Sequence, residues 1–230
     1  MARAIGLVTI GQSPRADLAE EYEQALPGVR IVQAGALDDL NEEQVLGLRP
    51  EAGDEVLVSR LRTGREVRLA RRHLEPRLQV CLDRLVREVD LTVLLCTGSF
   101  PAVRPRGLTL VPHEVLRHVV GAVVDGLRGS PVGAVRLGVL IPDEAQQVSA
   151  EARWGSLGHV TAVAASPYRG VEGLEEAGRA LLDAAASLVV MDCIGYTRPM
   201  RRIVARITEV PAILANASVA MIAREVLGGA

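Results

Sequence analysis

Two apolar runs of strand length, each closing on Cys-x-Gly, constrain this chain more than anything else in it. Leu188-Val189-Val190-Met191 leads into Asp192-Cys193-Ile194-Gly195-Tyr196-Thr197, and Thr92-Val93-Leu94-Leu95 leads into Cys96-Thr97-Gly98-Ser99. Neither run alternates apolar with polar residues, so each predicts a strand buried on both faces, as in a parallel sheet. In such sheets functional groups sit just beyond the carboxyl ends of the strands, and both cysteines fall there. The glycines let the backbone turn tightly or come close to a ligand. The expectation is an α/β protein whose two thiols, at matching positions in two halves, face each other across a cleft.

The flanking pattern repeats as well. Strand patterns at 4–10 and 29–34 precede the Cys96 run, with helical patterns at about 14–26 and 73–88. Strand patterns at 136–141 and 159–165 precede the Cys193 run, with helical patterns at 143–154 and 171–186. Each half then adds a strand and a helix, at 108–111 with 114–127 and at 212–214 with 216–227. The openings also match, Gly6-Leu7-Val8-Thr9-Ile10 against Gly138-Val139-Leu140-Ile141-Pro142. This is an internal duplication of α/β lobes with mostly parallel sheets. Residues 1–112 with 214–230 make the first lobe and 113–213 the second. The opening glycines lie 132 positions apart and the cysteines 97. A β-hairpin inserted at about 54–70, on the turn Arg62-Thr63-Gly64-Arg65, is expected to account for a large part of that difference. The stretch 129–133 reads as a linker. The strand order inside each lobe does not follow from the sequence.

Composition removes several functions. All 26 basic residues are arginine, so there is no lysine for a pyridoxal-phosphate Schiff base or for a phosphate-binding P-loop. The net charge of −2 leaves no electrostatic footprint for nucleic acid. One Trp, three Tyr and one Phe offer few stacking platforms. No apolar run reaches ~18 residues, so none predicts a membrane span. Met1-Ala2-Arg3-Ala4 enters a strand pattern at once, leaving no room for a signal peptide; the expected setting is the cytoplasm. Three cysteines without a CxxC pair or a Cys/His cluster argue against zinc. His113 and His118 are five apart, not the four that a zinc-binding helix needs. His113, at a strand-to-helix junction, is a weak site candidate, and His159 reads as structural. Cys81 falls on the apolar face of a helix and reads as a core thiol.

Cys96 and Cys193 suit two-base chemistry, in which one thiolate takes a proton from carbon and the other thiol delivers one to the opposite face. The thiolate must then be favoured by backbone N–H groups or a helix N-terminus. Thr97 and Gly98, and Gly195, Tyr196 and Thr197, are placed to supply donors. Asp192 either raises a neighbouring thiol or partners it. A disulfide is disfavoured in a cytosolic protein. Gly11-Gln12-Ser13-Pro14-Arg15 puts N–H groups and a hydroxyl at a helix N-terminus, a ready site for a carboxylate. Ser13 fits the N-cap and Pro14 the first helical position, and Arg15 suits a bidentate clamp on a carboxylate.

With Thr9-Ile10-Gly11-Gln12-Ser13-Pro14-Arg15, Pro50-Glu51-Ala52-Gly53, Arg62-Thr63-Gly64 and Met191-Asp192-Cys193-Ile194-Gly195 in view, the chain resembles the AroM protein family. More distantly, two lobes with one cysteine each resemble the aspartate/glutamate racemase superfamily. That likeness implies two pseudo-symmetric Rossmann-like lobes with a cleft between them. It also implies cofactor-independent chemistry next to a carboxylate, and Cys96 and Cys193 match the superfamily's two catalytic positions. Cys96 is followed by Thr-Gly rather than Asn-Thr, and Cys193 by Ile-Gly rather than Thr-His, which departs from amino-acid racemases. The expected function is racemisation or epimerisation of a small carboxylate-bearing substrate. Gln12, Ser13, Arg15, Thr97 and Thr197 would hold the carboxylate and the developing enolate charge, and Asn216 would line the cleft. Cis-trans isomerisation or decarboxylation on the same scaffold, or ligand binding without catalysis, are the alternatives. No metal and no cofactor is expected, and analogy implies a homodimer.

Overall fold

The computed structural model, which describes residues 3–128 and 134–228, opens with β1 (Ala4–Thr9), α1 (Ala16–Ala25), β2 (Arg30–Gly35) and the short α2 (Glu42–Leu46). The hairpin strands β3 (Val56–Arg60) and β4 (Glu66–Ala70) lead into α3 (Arg71–Leu85), β5 (Leu91–Leu95), β6 (Thr109–Leu110) and α4 (Pro112–Arg128). The linker-like stretch 129–133 lies outside the described residues. Then come β7 (Arg136–Ile141), a 3-10 turn at Glu144–Gln146, α5 (Gln147–Trp154), β8 (His159–Ala164) and α6 (Glu172–Asp183). The chain finishes with β9 (Leu188–Met191), α7 (Arg198–Thr208), β10 (Ala212–Leu214) and α8 (Ala215–Leu227).

Two units divide these elements. One runs to His113 and takes up the chain again at Val219; the other is Glu114–Ser218. The sequence pattern places 214–218 with the first lobe. The structure groups them with the second, since Leu214 pairs with Met191 and the Ser218 hydroxyl donates to the Leu214 carbonyl at 3.0 Å.

Each unit is built on a four-stranded sheet, ordered β2-β1-β5-β6 in the first and β10-β9-β7-β8 in the second. All pairings within both sheets are parallel. Read from the opening strand outwards, the two orders are the same: β7 stands for β1, β8 for β2, β9 for β5 and β10 for β6. The central strands explain the non-alternating sequence. β1, β5 and β9 are buried at every residue, and β7 at all but its first. The edge strands β2 and β8 are only partly covered. Leucines at 74, 78, 82 and 85 seal α3 onto the first core. α6 buries Leu174, Ala177, Gly178 and Leu181 against the second.

Between β2 and α3 the first unit has residues 36–70, where the second, between β8 and α6, has only 165–171. The insertion is therefore larger than the hairpin and includes α2, which Asn41 opens with a capping box completed by Gln44. The N-terminal helix also differs from expectation. Arg15, not Ser13, occupies the N-cap position of α1, because Asp38 takes both the amide and the hydroxyl of Ser13. Cys81 lies on the flank of the leucine stripe, half-buried rather than in the core.

Candidate functional site

The register of the two sheets puts the two cysteines at the same step. Gly6 of β1 pairs with Thr92 of β5; Gly138 of β7 pairs with Val189 of β9, 97 positions after Thr92. Cys193 follows Cys96 by the same 97 positions. Both side chains are buried, at 9% and 8% exposure, and neither forms a disulfide. The backbone after each makes the same contact. Gly98 N–H donates to Cys96 Sγ at 3.3 Å, and Gly195 N–H donates to Cys193 Sγ at 3.4 Å. An N–H aimed at sulfur is the kind of donor that stabilises negative charge there, and each loop supplies one in the same way.

Around Cys96 the cover is apolar. A methyl on Gly98 would stand 2.9 Å from Leu57 Cδ2, so the inserted hairpin lies directly on this loop. Leu57, Cys96, Phe100 and Val103 belong to one buried cluster. The hairpin is fastened to the loop after β1. Gln12 N–H donates to the Arg60 carbonyl at 3.3 Å, and Arg62 N–H donates to Gln12 Oε1 at 3.1 Å. Gly11 must be glycine here, since a Cβ would stand 2.5 Å from the Arg60 carbonyl oxygen.

Gln12, Ser13 and Arg15 find their partners inside this unit. Gln12 Nε2 donates to the carbonyls of Leu37 and Leu40 at 3.2 and 3.1 Å. Asp38 accepts from Ser13 N–H and Ser13 Oγ, both at 2.6 Å, from Gly35 N–H at 2.7 Å, and from Arg62 Nη2 at 3.0 Å. Arg15 donates to Asp17 through Nε and Nη2, and its N–H donates to Gln33 Oε1 at 2.7 Å. Burial alone would raise the Asp17 carboxyl; the hydrogen bond and charge of Arg15, helped by Arg60, outweigh it and hold it below the usual range. The chain's own carboxylates thus occupy these donors, Asp38 those of Ser13 and Asp17 the Nε and Nη2 of Arg15.

Around Cys193 the cover is polar. A methyl on Gly195 would stand 2.5 Å from the Tyr168 hydroxyl and 2.8 Å from Pro167 Cγ. Tyr196 is buried, and its hydroxyl donates to the Ala165 carbonyl at 2.6 Å. Burial pushes that hydroxyl well above the ordinary phenol range, and Cys193, Asp192 and Tyr168 push the same way. It stays protonated and serves as a tie. Asp192, 3% exposed, accepts from Trp154 Nε1 at 2.8 Å and from Arg153 Nη1 at 3.0 Å. Its carboxylate thus anchors the end of β9 to α5. Thr197 stands in the N-cap position of α7, yet its side chain makes no cap hydrogen bond. Asn216 is buried at the second residue of α8; His113 holds the corresponding place in α4, each three positions past the matching strand residue, Ile213 or Leu110. Among the described residues no group of three or more His, Cys, Asp or Glu could hold a metal ion. Nor is any described helix long and apolar enough to cross a membrane.

The sequence profile of the AroM protein family matches residues 5–227. The chain belongs to that family. No curated protein matches it in sequence. Solved structures share its fold at low identity. A glutamate racemase of Francisella tularensis subsp. tularensis SCHU S4, in complex with D-glutamate, matches with a TM-score of 0.61 at 13% identity, over 98% of this chain and 81% of its own. A glutamate racemase isoform of Bacillus anthracis matches with 0.62 at 13%, over 98% and 82%. An allantoin racemase of Pseudomonas fluorescens matches with 0.56 at 12%, over 98% and 91%. The fold is that of the glutamate racemases, α/β with two parallel four-stranded sheets.

Three residues of this AroM protein escaped the sequence reading. Asp38 fixes the loop after β1, Leu57 covers Gly98, and Tyr168 covers Gly195. All three lie in the connection that follows an edge strand, β2 or β8. Aligning the two halves pairs those connections and is the signal that marks them.

Proposed function

We propose that this AroM protein is a cofactor-independent racemase or epimerase of a small carboxylate-bearing substrate, with Cys96 and Cys193 as its acid/base thiols. The observation that carries this reading is the shared device: two buried thiols at one register step, each receiving the N–H of the glycine two residues on. Catalysis requires both thiols to reach one carbon from opposite faces. One thiolate takes the proton from the carbon beside the carboxylate, and the C–H electron pair moves into the carboxylate as an enediolate. The other thiol protonates the opposite face and is left as thiolate, so each turnover exchanges the protonation states of the pair. Thr97, Thr197 and N–H groups of the two loops hold the enediolate. Gln12, Ser13 and Arg15 serve this reading by shaping the first loop, because their donors are engaged within the chain.

The test is solvent deuterium incorporation, followed by NMR, across amino acids, hydantoins, hydroxy acids and diacids. Exchange beside a carboxylate is expected with one class. Cys96→Ser and Cys193→Ser should each lower two-way inversion by about 10²–10⁴-fold, the usual weight of one general acid or base. Unimpaired inversion in both single variants overturns the mechanism. A lasting cysteine–substrate adduct seen by mass spectrometry would instead mean thiolate addition.

A further inference from the structure

A cavity of about 490 Å³ opens in the first unit between α3 and the turn after β2, and the proposed thiol chemistry does not use it. Part of its lining is apolar, with Ala36, Pro76, Val80 and Cys81. Val80 is 69% exposed, on a helix whose leucines are all buried.

The charged groups of the cavity differ in how far they are engaged. Arg77 donates to the Ala36 carbonyl at 2.6 Å and is paired with Asp39. Asp38 is occupied by Ser13, Gly35 and Arg62. Arg84, two turns beyond Arg77 on α3, has no carboxylate partner among the described residues. It does act on the thiol beside it: burial pushes Cys81 up, and Arg84 is the first of the groups that draw it back.

We propose that this cavity binds a small monoanion with an apolar body, a carboxylate of about benzoate size, with Arg84 on the charge and Val80, Pro76 and Cys81 along the body. The volume falls in the ~300–1,000 Å³ range of small-molecule sites. One uncompensated guanidinium matches one negative charge. A second charge would have to sit near the carboxylates of Asp38 and Asp39, which disfavours a dianion. The site stands independently of the thiol mechanism. It does touch that machinery, because the Asp38 on its wall is the residue that holds Ser13.

Cys81 provides the readout. In the full chain, iodoacetamide labelling of each cysteine is followed by mass spectrometry at alkaline pH, with benzoate or the neutral isostere benzamide present. Benzoate should slow Cys81 labelling by 1 + [L]/Kd, about tenfold at ten times Kd, and benzamide should leave it unchanged. Arg84→Gln should remove the protection, and Arg84→Lys should retain most of it. Equal protection by benzamide, protection that persists in Arg84→Gln, or protection confined to Cys96 and Cys193 would each overturn the proposal. Saturation transfer from protein to benzoate gives a second measurement that does not depend on thiol reactivity. An equal signal in the wild type and Arg84→Gln would refute the site.

Discussion

Gly98 lies under Leu57 of the inserted hairpin and Gly195 under Tyr168 and Pro167, although both glycines donate the same N–H to a thiol at the same register step. The two covers come from one topological slot, the connection after the edge strand. In the first unit that slot has grown to residues 36–70; in the second it is 165–171. The duplication has thus kept the backbone that handles the sulfur and changed the side chain laid over it. One thiol loop sits against an aliphatic wall and the other beside a hydroxyl. Sheet register is costly to alter, since a one-residue slip sends buried side chains to the other face. A connection at the sheet's end can lengthen freely. The halves diverged where divergence was cheapest.

Leu57→Ala should show the contrast most strongly. Deleting a side chain that is 4% exposed should cost about 2–5 kcal/mol, read as a lower urea midpoint. The same variant should speed iodoacetamide labelling of Cys96 and leave Cys193 unchanged. Equal acceleration at both thiols would mean that the hairpin is not a private cover for the first loop.

The glycines themselves come next. At Gly195 a methyl would meet the Tyr168 hydroxyl at 2.5 Å and ring atoms of Pro167 and Tyr168 at 2.8 Å, which cannot fold away; at Gly98 it would meet the end of a leucine side chain at 2.9 Å and Cys96 Sγ at 3.3 Å. Gly195→Ala should therefore cost about 1–3 kcal/mol, in the range of overpacked sites, and Gly98→Ala distinctly less. The double variant Gly98→Ala with Leu57→Val should recover part of the smaller loss. If Gly98→Ala proves the worse of the two, the rigid-cover account of Tyr168 and Pro167 fails.

How much of this could be read from the sequence depended on how local the cause is. The Cys96 and Cys193 strands were legible because central parallel strands are apolar on both faces, a property of each run alone. The duplication was legible because Gly6-Leu7-Val8 and Gly138-Val139-Leu140 repeat. The strand order was not, because it depends on which edges meet. The residue types in Gln12-Ser13-Pro14-Arg15 predict a site for a carboxylate. What they could not reveal is that Asp38, 25 positions beyond Ser13, already occupies the Ser13 donors. Tyr168 carries no motif. It becomes visible only when its seven-residue connection is set against the much longer one in the other half.

A last and smaller effect separates the two units through their buried ion pairs. In the first the base is the buried member, with the side chain of Arg15 at 4% exposure and that of Asp17 at 29%; in the second it is the acid, Asp192 at 2% against Arg153 at 27%. Despite its burial, the Asp17 carboxyl is held below its ordinary value by Arg15 and Arg60. A group depressed on folding contributes fully above its unfolded value, ~3.9 for Asp, and loses that contribution as pH falls through the folded one. The pair should therefore be worth its full amount at neutral pH and fade below about pH 4, by about 1 kcal/mol or less given the partial exposure of Asp17. Urea midpoints at pH 7, 4 and 3 should converge for the wild type and Asp17→Asn as the pH drops. Parallel lines would show that Asp17 contributes no acid-sensitive stability.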